Sequence, residues 1–187
     1  MSDKKALVAD SLKRLFDKNA IIIDTETTGF SKKDEVIDLA VISFQTGQVI
    51  FQQYFIPEAP INPFAAKVHK LDLNKLNRLG AKPIYNYFQS LDLIFSSDYP
   101  IIAYNASFDK RLLDQSLLRY NKDVYNSKWH CAMKAFEMVH GKQVKLAEAC
   151  DTFNIGAGLH SAQTDCLALR NLLLRIIDVN SCSSEER

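Results

Sequence analysis

IIIDTETTGF, residues 21 to 30, sets two carboxylates directly behind three isoleucines. Ile21, Ile22 and Ile23 read as the middle of a buried strand that ends at Asp24. In a strand, residues i and i+2 share a face, so Asp24 and Glu26 project together while Thr25 points to the opposite layer. Carboxylates are costly to bury without compensation, and two side by side disfavour each other's ionisation. A divalent cation reverses that balance, and hard oxygen ligands suit Mg²⁺ or Mn²⁺. Thr27, Thr28 and Gly29 let the chain turn tightly and bring small polar groups close to whatever the carboxylates hold. Taken alone, the stretch reads equally well as a strand end carrying two solvated acids.

Working outward, residues 3–18 place apolar side chains at Leu7, Val8, Leu12, Leu15 and Phe16, the spacing of a docked amphipathic helix. The run EVIDLAVISFQTGQVIFQQYFIP gives two β-rich segments joined at Thr46-Gly47, a hairpin. Pro57, Pro60 and Pro63 make 57–63 a loop. Pro83 starts a helix carrying Ile84, Tyr87, Leu91 and Phe95. A short strand in YPIIAYN is followed by helices over FDKRLLDQSLLRY, CAMKAFEMVH and VKLAEACDTFN. Gly156 and Gly158 then precede a long final helix over SAQTDCLALRNLLLRII. Strands come early and helices late, with a fourth strand between two helices. That order predicts a mixed α/β layer arrangement with a hairpin-containing sheet. The expected organisation is one domain over 1–178, with a polar, disordered tail over 179–187.

The totals exclude several classes. With 187 residues and 47% hydrophobic composition, the chain suits a single core, and a net charge of +1 gives no global attraction to nucleic acid or membrane. A small site for one or two nucleotides remains compatible with that charge. Cys131, Cys150, Cys166 and Cys182 form no CxxC pair, which argues against a zinc site or a disulfide framework. The start lacks an apolar signal region and no run approaches membrane-span length, so a cytoplasmic location and no membrane partner are expected.

Two further stretches repeat the pattern of apolar strand or turn followed by acid. In IIAYNASFDKRLL, Asn105 can cap the next helix and Asp109 lies in its first turn. In GLHSAQTDCLALRNLLL, His160 precedes the last helix and Asp165 lies inside it. A spacing of five puts helical side chains about 140° apart, so His160 reaches the same site only from a loop before the helix.

On these residues the chain resembles the DEDDh 3′–5′ exonucleases, the superfamily of the epsilon proofreading subunit of bacterial DNA polymerase III. The likeness rests on Asp24-Thr-Glu26-Thr-Thr-Gly29, on Asn105-Ala-Ser-Phe108-Asp109 and on His160-x-Ala162-x-x-Asp165, in order, over roughly residues 20–177. VHKLD at 68–72 resembles the family's Val-His segment, and CAMKAFEMV with HSAQTDC resembles the exonuclease X branch. The resemblance implies an RNase H-like mixed sheet with helices packed around it. It implies that Asp24, Glu26, Asp109 and Asp165 hold two divalent metals, Mg²⁺ or Mn²⁺, with His160 as general base. It also implies a single-stranded nucleic acid 3′ end as substrate, with 5′-mononucleotides released. Two positions depart from the family pattern: Tyr104 precedes Asn105 where His is frequent, and Lys70 follows His69 where Gly is frequent.

Thr27, Phe64, Val68, His69, Asn105 and Phe108 are the candidates for substrate contact, Phe108 and Val68 being equally readable as core. Residues 109–145 hold eight Lys or Arg against four Asp or Glu, a flank able to guide a strand or simply to be solvated. Rival readings are an exoribonuclease or oligoribonuclease, an inactive binding module on the same fold, and an aspartyl-phosphate phosphatase. Glu26 stands where that last class has a second Asp, which counts against it. Only about ten polar residues follow Ile177, so an enzyme acting without a polymerase partner is expected. Homodimers are common among relatives of that kind.

Overall fold

The structure is a computed structural model and describes residues 2–156 and 160–181. Its centre is the isoleucine strand. β1 (Ile21–Thr27) runs three residues further than predicted, through both acids. It pairs antiparallel with β2 (Val36–Ser43), which pairs antiparallel with β3 (Val49–Tyr54). The predicted Thr46-Gly47 turn joins them. Gly47 takes φ 74° there, a left-handed conformation that glycine adopts without strain. On its other side β1 lies parallel to β4 (Ile101–Ala103), and β4 lies parallel to β5 (Trp129–Cys131). The sheet order is β3-β2-β1-β4-β5, the RNase H-like mixed arrangement. β5, a fifth strand that sequence reading misses, is three residues long, too short for alternation to register.

Alternation along β1 divides the core. Ile22, with Ala40 and Ile42 of β2, packs under α1 (Ser2–Asp17), α6 (Ala132–His140), α7 (Leu146–Asp151) and α8 (Ala162–Ser181). Ile21 and Ile23 pack on the opposite face under α4 (Phe88–Phe95) and α5 (Ala106–Leu118). Ile22 and Ile23 are fully buried, so truncating either to Ala costs about 2–5 kcal/mol. On α1, Val8, Leu12 and Leu15 are buried as predicted, whereas Leu7 is exposed.

The predicted loop ends one residue early. Asn62 caps α2 (Pro63–His69), its Oδ1 accepting from the Phe64 N–H at 2.9 Å, and Asp72 caps α3 (Leu73–Arg78) in the same way. Both cap signals, Asn-Pro and Asp three residues before Lys75, stand in the sequence. The segments are too short for apolar periodicity to reveal a helix. The predicted helix at Pro83 begins as a 3₁₀ turn over Ile84–Tyr87. The final helix runs through Ser181, past the point at which a disordered tail was expected, and residues 182–187 lie outside the described residues, as does Gly158. No helix among the described residues is long and apolar enough to cross a membrane.

Candidate active site

β1 outruns its parallel neighbour. Only Ile21 and Ile22 pair with β4, which ends at Ala103, so from Asp24 onward that edge of β1 has no strand beside it. The start of α5 fills the space. Asp109, in the first turn of α5, is buried there, and the Thr25 hydroxyl donates to its Oδ1 at 2.8 Å. Thr25 does point to the layer opposite Asp24 and Glu26, and what it meets in that layer is the third predicted acid. The site thus sits at the carboxyl end of the central strand, where the chain diverges to the two sides of the sheet.

α8 crosses the other face and supplies the fourth acid. Asp24, Glu26 and Asp165 each offer an oxygen within 4.8 Å of the others, a set able to hold a metal ion. Asp109 stands outside that set of three but beside it, its charge being the strongest of those acting on Asp24. A fifth acid was not predicted. Asp38 on β2 lies directly opposite Glu26 in the sheet register and is fully buried. Its Oδ1 accepts from Gln52 Nε2 at 2.8 Å and its Oδ2 from the Ala162 N–H at 3.2 Å, which ties β3 and the first residue of α8 to β2. The signal was available: Asp38 interrupts an otherwise apolar run, VIDLAVI, where an acid needs a reason.

The electrostatics are those of an anion cluster short of positive charge. Burial, then the neighbouring charges of Asp109, Asp165, Glu26 and Asp38, drives the Asp24 carboxyl well above its ordinary range. Burial, then Asp165, Asp38 and Asp109, pushes Glu26 up to about 8. Asp109 is raised by burial although the Thr25 bonds oppose it, and Asp165 is raised by burial against the favourable charge of His160. Asp38 rises to about 6 through burial, its two hydrogen bonds opposing. The donor set fits divalent ions of the Mg²⁺ or Mn²⁺ kind: hard carboxylate oxygens, converging, and hard to ionise unless a cation is present.

His160 lies two residues before α8, exposed, at φ 53°. A left-handed non-glycine residue is uncommon and concentrates at functional turns. The charge of His160 acts on Asp165, so it stands near the cluster from the helix approach rather than from the helix itself.

The substrate-contact candidates divide. Phe64 (80% exposed) and Val68 stand out from α2, which is tied to the end of β1 by the Asn62 N–H bonded to Thr28 O at 2.8 Å. Phe108 is half-buried, with Phe30 (73% exposed) 5.8 Å away and the Arg111 guanidinium 5.6 Å from its ring centre. Phe30, the last letter of the opening stretch, is a functional candidate that sequence reading passed over. His69 and Thr27 are both buried and bonded within the protein. The Leu71 N–H donates to His69 Nδ1 at 3.0 Å, so Nε2 carries the proton and donates to Thr27 O at 3.2 Å. The ring is buried and neutral, burial lowering its pKa. The Thr27 hydroxyl donates to Gly29 O at 2.8 Å. Asn105 occupies the cap position of α5 without the expected cap bond, its Oδ1 accepting instead from Ser107 Oγ at 3.0 Å.

The turn after β1 is held firmly. Thr28 Oγ1 donates to Asp34 at 2.7 Å, and Arg111 and Gln115 of α5, with Arg119 just past its end, donate to the carbonyls of residues 30–34. Buried Glu35 accepts from the N–H groups of Glu58 and Ala59 and faces Arg119 at 3.4 Å.

Comparison with known proteins places this geometry. A family model described as exonuclease matches residues 21–173. The chain is 25% identical over 123 residues to DNA polymerase III PolC-type of Clostridium perfringens, a stretch that spans 64% of this chain and 8% of that much longer protein. In fold it is similar to exonuclease X in complex with 5′ overhanging duplex DNA, at TM-score 0.67 and 23% identity, covering 87% of this chain and 93% of that one. It is also similar to a 3′-exonuclease that recognises the histone mRNA stem-loop, at TM-score 0.71 and 15% identity over 87% and 82% of the two chains. Escherichia coli exonuclease I in complex with a dA16 oligonucleotide matches at TM-score 0.69 and 18% identity, over 86% of this chain and 42% of that one.

Proposed function

Because the chain belongs to the exonuclease family, we propose that it hydrolyses single-stranded nucleic acid from the 3′ end, DNA foremost, releasing 5′-mononucleotides with two divalent ions as cofactors. The observation that carries this reading is the convergence of Asp24, Glu26 and Asp165 within 4.8 Å at the end of β1. Buried Asp109, held by Thr25, lies beside them. Asp24, Glu26, Asp109 and Asp165 would hold the ions, which supply charge stabilisation for the phosphoryl oxygens and a water acidified enough to attack.

The chain's own residues do the rest. His160 accepts the proton of the attacking water; histidine is the side chain best suited to that exchange near neutral pH. Its exposure lets it approach once substrate covers the cluster. Phe30, Phe108, Phe64 and Val68 give the terminal nucleotide apolar faces, and stacking on such faces tolerates any base. Asn105, its amide N–H groups uncommitted among the described residues, can donate to a phosphate oxygen. Thr27 and His69 act indirectly by fixing the turn and α2 to the strand that carries the acids.

A second reading, an exoribonuclease, is favoured by the fold likeness to the enzyme acting at the histone mRNA stem-loop. The 2′-hydroxyl decides between them and is sensed by local contacts. Parallel digestion of 5′-labelled single-stranded DNA, duplex DNA and short RNA with Mg²⁺ or Mn²⁺ tests both. Stepwise shortening from the 3′ end of the single-stranded DNA is the expected result. Faster shortening of RNA selects the second reading, and intact substrate in every lane overturns both.

A further inference from the structure

Beside the start of α5 runs a concavity of which the chemistry above uses only Asn105. It is an open groove of about 760 Å³ between the start of α5 and the segment leading into α7. That volume falls in the range of ligand sites. Its walls are fixed to each other: the Tyr104 hydroxyl donates to Val144 O at 2.7 Å, and the Met133 N–H donates to Tyr104 O at 2.9 Å. One end is Asn105, four residues before Asp109 on the same element. The other is Leu146, at the start of α7, which packs on the helix carrying Asp165. The groove therefore runs from the element that carries Asp109 to the helix that packs on the carrier of Asp165.

Its lining separates charge from apolar surface. Glu148, the groove's acid, is neutralised by Lys142 at 2.7 Å, and Gln143 is drawn to Glu137 at 2.8 Å. That leaves exposed Lys145, for which no ion-pair partner exists among the described residues and whose side chain makes no cap bond to α7. Asn105 contributes amide donors that no hydrogen bond engages among the described residues. Met133, Val144 and Leu146 supply a half-buried apolar floor. A cation at one wall, an amide donor at the other and apolar side chains between them suit a strand with phosphates at the edge and bases inward.

Building on the exonuclease reading, we propose that this groove receives the nucleotides immediately upstream of the cleaved bond, with Lys145 on a backbone phosphate and bases against Met133, Val144 and Leu146. The site would then bind several nucleotides although the chain has almost no net charge. Its affinity would grow with strand length only up to the groove's far end.

The test measures binding and cleavage separately. Fluorescence anisotropy of single-stranded DNA and RNA oligonucleotides two to six nucleotides long is followed without divalent metal. KM for the same oligonucleotides is followed with Mn²⁺. The unaltered protein is expected to gain affinity with length and then level off. Lys145→Glu is expected to lose about tenfold for the longer strands, about 1.4 kcal/mol. Its slope of log affinity against log salt should be shallower by about 0.7, the loss of one single-strand phosphate contact. Lys13→Glu, an exposed lysine on α1 with the same change in net charge, is the control. Equal loss in Lys13→Glu, or a length dependence that survives Lys145→Glu, overturns the groove. Cleavage without length dependence overturns the groove and leaves the exonuclease reading standing. Length-dependent, Lys145-sensitive binding without cleavage does the reverse.

Discussion

On one side of the acidic cluster, Asp24, Glu26 and Asp109 ride on elements that grip each other. Thr25 holds Asp109, Ser116 of α5 accepts from the Val36 N–H at 2.9 Å, and two α5 side chains and Arg119 just past its end donate to the turn after β1. On the other side, α8 brings Asp165, and its first turn is tied to the sheet by the Asp38 bond to Ala162. His160 stands before that turn, exposed and left-handed. One half is firmly bonded and carries three of the four proposed metal ligands; the other carries Asp165 and presents the proposed base. A cage needs fixed distances, whereas a base needs freedom to meet a water that arrives only with substrate.

The sharpest way to break the firmly bonded half is Asp24→Asn. It removes a central carboxylate while keeping its shape, so exonuclease turnover should fall by a factor of about 10³ or more and divalent-ion binding should weaken together with it. Stability of the metal-free protein should move the other way, because a buried carboxyl that must either hold a proton against the pH or carry its charge beside Asp109, Asp165, Glu26 and Asp38 is replaced by a neutral amide. Thermal unfolding in EDTA checks this; a lower Tm for Asp24→Asn would show that the cluster is not electrostatically strained.

His160→Ala probes the other half. Turnover should drop by about 10²–10⁴, the usual worth of a positioned base. KM, the Tm and Mn²⁺ binding should hardly change, since the side chain is exposed. Unaltered turnover at neutral pH removes His160 from the proton-transfer role.

The same contrast shows what a sequence discloses. The first half was partly legible because it is local: three isoleucines, two acids at i and i+2, and a second strand–turn–acid stretch put Asp24 and Glu26 on one face of a strand end and Asp109 in the first turn of a helix, while only the family resemblance joined them in one site. The sheet and its hairpin followed from alternation and from Thr46-Gly47. Less legible was whatever depends on contacts between distant segments. The early end of β4 makes room for Asp109, yet no local pattern announces it. Nor does a local pattern show that both nitrogens of His69 are bonded within the protein, to Leu71 and Thr27. Phe30 gains meaning only from Phe108, 78 residues later in the chain and 5.8 Å away. Asp38 faces α8 through a partner 124 positions on.

Removing metal across a pH range tests the cluster as a whole. Glu26 is raised from about 4.5 to about 8 and Asp38 from 3.8 to about 6, so the folded state binds more protons than the unfolded state in that interval. Stability of the metal-free protein is therefore greatest below the unfolded carboxylate values and is lost as pH rises, through about 6 for Asp38 and about 8 for Glu26. A divalent ion binds the deprotonated carboxylates, so its stabilisation grows over the same interval. At one hundred times its dissociation constant, an ion adds about 2.7 kcal/mol, several degrees of Tm for a chain of this size. Unfolding scans with EDTA and with Mn²⁺ from pH 5 to pH 8.5 should diverge as pH rises. Parallel curves would dissociate the acids from metal binding.

The smallest expected effect lies at the joint between the two halves. Asp38→Ala leaves the Ala162 N–H and the Gln52 amide without their acceptor in a buried place, which costs about 1–3 kcal/mol. It also frees the start of α8 to shift, so turnover should fall modestly while the apparent affinity for Mn²⁺ weakens, because Asp165 no longer stands in fixed register with Asp24. Asp38→Asn separates geometry from charge. With its oxygen on the Ala162 N–H and its amide on a flipped Gln52, it keeps both bonds and deletes only the charge facing Glu26. Turnover and stability should then stay near those of the unaltered protein, and the onset of metal binding should move to lower pH, since Glu26 ionises more readily without that neighbour. If Asn proves as damaging as Ala, the negative charge of Asp38, and not its hold on α8, is what the site requires.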